Sequence, residues 1–209
     1  MQVKSRKCTS IYINLRLGTF FLVFLFLLLW GVKAIFTDRH IDGQIIENAY
    51  GLKVVNSILP EDSLLRTHIP RKIKYIVIHE TGNPSSTANA SAHNHYLECD
   101  GDGSTAWHYT VDENIAYHHI PDDEIAYHAG KGNRFGIGIE LCVNQGGDFE
   151  KTFRNGARLT AKLIKTYGLS AGSVKQHADF MDKNCPENIR NDGRWTEFLS
   201  LVKTYLEEN

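Results

Sequence analysis

Two short apolar runs constrain this chain more than anything else in it. Residues 74–79 read KYIVIH and residues 136–143 read GIGIELCV. The first is β-branched and aromatic and apolar on both faces, which marks a strand buried in the middle of a sheet. In the second, Ile137, Ile139, Leu141 and Val143 point one way while Gly138, Glu140 and Cys142 point the other. Around these runs, strand-like and helical segments alternate. That alternation predicts an α/β domain with a mixed central β-sheet flanked by helices.

The remaining elements follow from turn and cap signals. Thr81-Gly82-Asn83-Pro84 ends the first strand, and Ser85 or Ser86 is placed to cap a helix reaching about Leu97. After a Gly- and Asp-rich turn at 99–103, AWHYTV (106–111) and residues 115–120 form two strands around an Asp112-Glu113-Asn114 hairpin signal. A helix is expected over 149–167, with Phe153, Ala157, Thr160, Ile164 and Tyr167 on one face and Gly168 as its stop. A short strand at 174–177 and an amphipathic helix at 195–206 complete the domain, expected to span 71–206. Residues 35–70, with Pro60 and Pro70, read as a stalk and lead-in.

Charge is unevenly distributed. Five of the 23 basic residues (Lys4, Arg6, Lys7, Arg16 and Lys33) and none of the 24 acidic ones fall in residues 1–33, so the body of the chain is net acidic. That excludes nucleic acid as the expected partner, because phosphate binding needs a basic surface. From Leu17 to Val32 there is no charge at all. A basic flank before such a run reads as an export signal or, given its Leu- and Phe-rich length, an uncleaved membrane anchor within residues 1–34. Either way the body is expected outside the cytoplasm, at the cell membrane or, after cleavage, secreted. The four cysteines (Cys8, Cys99, Cys142 and Cys185) show no CxxC spacing and suggest neither a four-thiolate zinc site nor a disulfide framework.

Ten histidines are available for chemistry. His40, His68, His93, His95, His118 and His119 read as surface or satisfied core residues. His79 differs, because it ends a buried strand, where ligand crevices open in α/β sheets. His177 ends VKQH in the same way, and Cys185 follows in KNCPE. Two imidazoles and a thiolate suit a catalytic zinc site with one corner open, although three residues this far apart in sequence carry little spacing information. Glu140 is a carboxylate inside a buried strand, so it is either functional or half of a structural ion pair.

Together the blocks IVIHET (76–81), WHYTVDE (107–113), AYHAGKGNRFGIGIELC (126–142), VKQHADF (174–180), KNCP (183–186) and GRW (193–195) resemble the zinc-dependent N-acetylmuramoyl-L-alanine amidases of the amidase-2 type. These include Bacillus autolysins and phage endolysins and are related to peptidoglycan recognition proteins. The resemblance covers roughly residues 71–206 and leaves 1–70 untouched. It implies one zinc ion per chain held by His79, His177 and Cys185. It implies hydrolysis of the amide between N-acetylmuramic acid and the L-alanine of the stem peptide by a zinc-activated water. Glu140 matches the proton-transferring residue and Lys183 the residue that stabilises the tetrahedral intermediate. Trp107, His108 and His128 fall in blocks that line the family's substrate groove, and Trp107 stands where some relatives carry a catalytic tyrosine. Cys142 matches a packing position, with a Cys99–Cys142 bridge left open. The implied partners are the peptidoglycan glycan strand and stem peptide, with the chain acting as a monomer. The rival reading is a non-catalytic peptidoglycan-binding module on the same fold. Such modules typically lack the cysteine ligand, which this chain has.

Overall fold

The computed structural model describes residues 45–208. The N-terminal basic flank and apolar run lie outside the described residues. Among the described residues no helix is long and apolar enough to cross a membrane.

Seven strands form one mixed sheet: β1 (Ile45–Ala49), β2 (Leu52–Asn56), β3 (Tyr75–Glu80), β4 (Tyr109–Val111), β5 (Ile115–His118), β6 (Gly136–Leu141) and β7 (Val174–Gln176). Their order is β1-β2-β5-β4-β6-β3-β7. The β1–β2 and β4–β5 pairs are antiparallel, and the other neighbours are parallel. The two apolar runs sit side by side as β3 and β6, and Ile76, Ile78, Ile137, Ile139 and Leu141 are fully buried. Each such aliphatic side chain contributes about 1.5–3 kcal/mol by leaving water.

Among the described residues four helices accompany the sheet: α1 (Ala90–Glu98), α2 (Phe149–Thr166), α3 (Glu187–Asn191) and α4 (Trp195–Glu207). Phe153, Ala157, Ile164, Phe198 and Val202 from α2 and α4 close the main core over one face of the sheet. The Asp148 side chain accepts from the Lys151 N–H to start α2, and Gly168 follows its end at φ +60. A second, smaller core lies beside α1, where Leu97 packs with Leu59, Leu65, Ala106, Trp107, Ile120 and Ala126. The face of β3 and β6 that bears His79 and Glu140 is opposite to the one under α2, which frees it for a site.

Two expectations are corrected, and one question left open is answered. The stretch expected as a stalk is built into the domain from residue 45 onward. Tyr50 (φ 53) and Gly51 (φ 89) form a tight turn, β2 runs parallel to β5, and Leu52, Val54, Val55, Leu59 and Leu65 are buried. Two consecutive positive φ angles are what a two-residue hairpin needs, and Tyr-Gly is an uncommon way to supply them. The cap of α1 is Asn89, whose Oδ1 accepts from the Ala92 N–H at 3.0 Å, not Ser85 or Ser86. Cys142 is a free, buried thiol, so it forms no bridge with Cys99.

Candidate metal centre and active site

Register across the parallel strands assembles the site. His79 on β3 pairs with Glu140 on β6, and Ile78 pairs with Gln176 on β7. His177 directly follows Gln176, so His177, His79 and Glu140 stand in a row at the carboxyl ends of three neighbouring strands. Cys185 reaches the same point from the loop before α3. The ligand atoms of His79, His177 and Cys185 lie within 4.8 Å of one another, and all three residues are buried. Their Nδ1 atoms approach to 2.9 Å for the histidine pair, and Cys185 Sγ lies 3.9 Å from His79 Nδ1.

The donor chemistry fits a metal ion. The Nε2 atom of His177 lies 3.3 Å from the Met181 sulfur, which can only accept. Its hydrogen therefore sits on Nε2, and Nδ1 is a bare lone pair. Burial disfavours both imidazolium forms: it pulls His177 down to about 4 and His79 well below its usual range, with neighbouring His128, His177 and Lys183 adding to the effect on His79. Two neutral rings with nitrogens converging at 2.9 Å need a cation between their lone pairs or a shared proton. Burial holds the Cys185 thiol up at about 12 in the metal-free protein. Binding as thiolate thus requires a strong Lewis acid such as zinc.

Glu140 lies against this centre. Its Oε1 is 3.7 Å from His79 Nδ1, its side chain is 15 % exposed, and its Oε2 is buried without a hydrogen-bond partner. No arginine or lysine pairs with it among the described ion pairs, so the structural ion-pair alternative has no partner here. Its carboxyl stands at about 8, raised chiefly by burial and further by Glu80, with Lys183 acting in the opposite direction. Lys183 itself is exposed on the loop that carries Cys185. Its charge is felt at Glu140, His79 and His177.

The expected groove residues separate. Trp107 is nearly buried, donates from Nε1 to Thr110 Oγ1 at 2.6 Å, and stacks on Tyr96. With Thr81, Asn83, Tyr96 and Thr105 it lines a groove of about 440 Å³ that opens where β3 ends. His108 does not line it. That ring is fully buried, accepts from the Gly138 N–H at 3.0 Å, and lies 3.0 Å from the Glu124 carbonyl and 2.8 Å from Arg71. His128 is also turned inward, with Nδ1 2.9 Å from His79 Nε2 and Nε2 3.0 Å from the Gly136 carbonyl. Both were expected as substrate contacts; burial and these bonds leave neither ring a free polar atom for one.

Glu80 escaped the sequence reading. It is buried beside His79, and its carboxylate accepts from Asn188 N–H at 2.8 Å and Ile189 N–H at 3.0 Å. That capping of α3 ties the loop bearing Cys185 to the strand bearing His79. The only sequence signal was a second polar residue after His79 on a buried strand.

A family model described as N-acetylmuramoyl-L-alanine amidase matches residues 69–188. Among curated proteins, CwlH of Bacillus subtilis, an N-acetylmuramoyl-L-alanine amidase, is 37% identical over 135 residues, covering 62% of this chain and 53% of CwlH. XlyA of the same organism, described likewise, is 34% identical over 155 residues, covering 72% of this chain and 51% of XlyA. The chain thus spans about half the length of these relatives. The solved catalytic domain of XlyA superposes with a TM-score of 0.67 at 33% identity, over 71% of this chain and 98% of that one. A mutant endolysin from Bacillus subtilis gives 0.68 at 34%, over 72% and 99%. With the family model matched along most of the folded domain, the chain belongs to the N-acetylmuramoyl-L-alanine amidase family.

Proposed function

We propose that this protein hydrolyses the amide between N-acetylmuramic acid and L-alanine in peptidoglycan, with one zinc ion per chain held by His79, His177 and Cys185. The observation that carries this reading is the convergence of those three ligand atoms within 4.8 Å, directly beside the Glu140 carboxylate, whose Oε2 is buried without a hydrogen-bond partner. Zinc in such a site polarises a carbonyl and lowers the pKa of a water to about 7.

The chain supplies the proton handling. Glu140 takes a proton from the attacking water at its unpaired Oε2 and passes it to the alanine nitrogen as the C–N bond breaks. A carboxyl lifted by burial and lowered by nearby positive charge titrates near working pH, which suits a group that must both accept and donate. Lys183 offsets the negative charge that builds on the carbonyl oxygen. The groove over Trp107 and Tyr96 offers aromatic faces and hydroxyls for a glycopeptide. The N-terminal apolar run is proposed to hold the domain at the outer face of the cell membrane, where this substrate lies.

The test is digestion of purified peptidoglycan by the zinc-loaded protein, with products identified by mass spectrometry. The expected products are glycan strands with a free lactyl carboxyl and peptides with a new L-alanine amino terminus. New reducing sugar ends or breaks within the peptide would overturn the bond assignment, and binding without cleavage would leave a binding module. Metal content measured alongside should be one zinc per chain, lost in His177→Ala and Cys185→Ala.

A further inference from the structure

We propose that His128 is a positioning residue for the metal centre: it fixes the tautomer and orientation of His79, so that His79 presents Nδ1 as the ligand atom. This rests on the reading of His79, His177 and Cys185 as metal ligands.

A backbone carbonyl can accept a hydrogen bond but cannot donate one. The Gly136 carbonyl oxygen lies 3.0 Å from His128 Nε2, so the hydrogen of His128 sits on Nε2. The ring is packed edge-on between the His79 and His108 rings, at centroid separations of 5.0 and 5.6 Å. With its hydrogen on Nε2 and no carboxylate among its hydrogen-bond partners, the ring presents Nδ1 as the acceptor. That atom is 2.9 Å from His79 Nε2, which must therefore be the donor. His79 then carries its hydrogen on Nε2 and its lone pair on Nδ1, the atom that faces His177 and Cys185. A relay of Gly136 carbonyl, His128 and His79 thus sets the coordinating atom from the rear. Metal-binding histidines are commonly oriented by an acceptor on the second nitrogen, usually a carboxylate, carbonyl or water. Here a second histidine fills that place.

Two further features hold the relay. The His128 N–H donates to Asn133 Oδ1 at 2.9 Å, which fixes the backbone that carries the ring. Gly138, beneath the ring on β6, has no side chain, and a Cβ there would lie 2.8 Å from His128 Cγ and Nδ1. The close seat of the ring on the sheet depends on that gap.

Two amide substitutions separate positioning from mere packing. In His128→Asn the side-chain oxygen takes the place of Nδ1 and can accept from His79, but the bond to Gly136 is lost. In His128→Gln the amide nitrogen takes the place of Nε2 and keeps the Gly136 bond, but the acceptor for His79 is lost. Zinc affinity by chelator competition should stay within a few-fold of wild type in His128→Asn and fall about 10- to 100-fold in His128→Gln. The reverse order, or equal affinities in both, would overturn the proposal. Melting temperatures of the metal-free variants guard against reading a folding defect as lost affinity. Long-range nitrogen–proton NMR on the wild-type protein needs no variant: His128 and His79 should both carry their hydrogen on Nε2. A hydrogen on Nδ1 of His128 would end the idea. A wild-type protein that binds no zinc would instead sink the ligand set, while the tautomers remained readable.

Discussion

At the scale of single residues, Glu140 is the position where the chemistry is most exposed to test. It stands in a strand whose other face is fully apolar, and one of its oxygens is buried without a partner. Folded proteins rarely leave such an atom unsatisfied without a functional reason. Glu140→Gln keeps the shape but cannot accept a proton from water. Turnover per zinc-loaded molecule should fall 10²- to 10⁴-fold, about 2.7–5.5 kcal/mol of barrier, with zinc content unchanged. Near wild-type turnover, or a lower melting temperature with activity intact, would remove Glu140 from the mechanism. Lys183, exposed and reaching the site only through its field, should matter less to metal retention than to rate.

At the scale of elements, the site depends on how strands and loops are tied together. Parallel register alone aligns His79, Glu140 and the end of β7. Cys185 has no strand to place it; the Ala178 N–H donates to its carbonyl at 3.0 Å, and the Glu80 carboxylate caps α3 just after it. Its burial raises its own carboxyl pKa, against which the Asn188 and Ile189 N–H groups pull down. Glu80→Ala would leave those two N–H groups without their acceptor, a loss of about 1–3 kcal/mol. Urea unfolding of the metal-free protein should show that loss, and zinc affinity should drop with it as the Cys185 loop loosens. Unchanged zinc affinity would mean that the loop is held by other contacts.

At the scale of the whole molecule, buried histidines make stability depend on pH. His79, His93, His108, His119 and His128 are all held below their usual 6.5, chiefly by burial. In the unfolded chain each gains a proton below about 6.5, while in the folded metal-free protein it does not. The stability contributed by the neutral rings is therefore present above 6.5 and is lost as pH falls below it. His119 isolates one such group away from the metal centre. It is fully buried, bonded to Thr110 Oγ1 at 2.9 Å, and lowered to about 3. His119→Gln should flatten the fall in stability by about 1.4 kcal/mol per pH unit between about 6 and 3; an unchanged slope in urea titrations would show that this ring is not a neutral core group. The proposed tether belongs to the same scale. With basic residues on the N-terminal side of the apolar run, protease added to intact cells should digest the catalytic domain. Protection, where an exported control is cut, would reverse that orientation.

By itself the sequence determined the two central strands, because apolar runs of that length and pattern can be satisfied only inside a sheet. It also marked His79 and Glu140 as anomalies, because a polar group in such a strand is costly unless it has a purpose. Joining those two to His177 and Cys185 needed the resemblance to a family, since ligands far apart in sequence leave no local pattern. Tertiary structure alone decided the rest. The Tyr50–Gly51 hairpin turned an apparent stalk into two strands, because its residues bury their apolar side chains only once β5 is beside them. His108 and His128, read as groove contacts, face inward because the partners that satisfy them, Gly138, Glu124, Gly136 and His79, are brought to them only by folding. Which nitrogen of His79 faces the candidate metal site is decided the same way. It is a property of a hydrogen-bonded chain through space, to which no single stretch of sequence holds all the members.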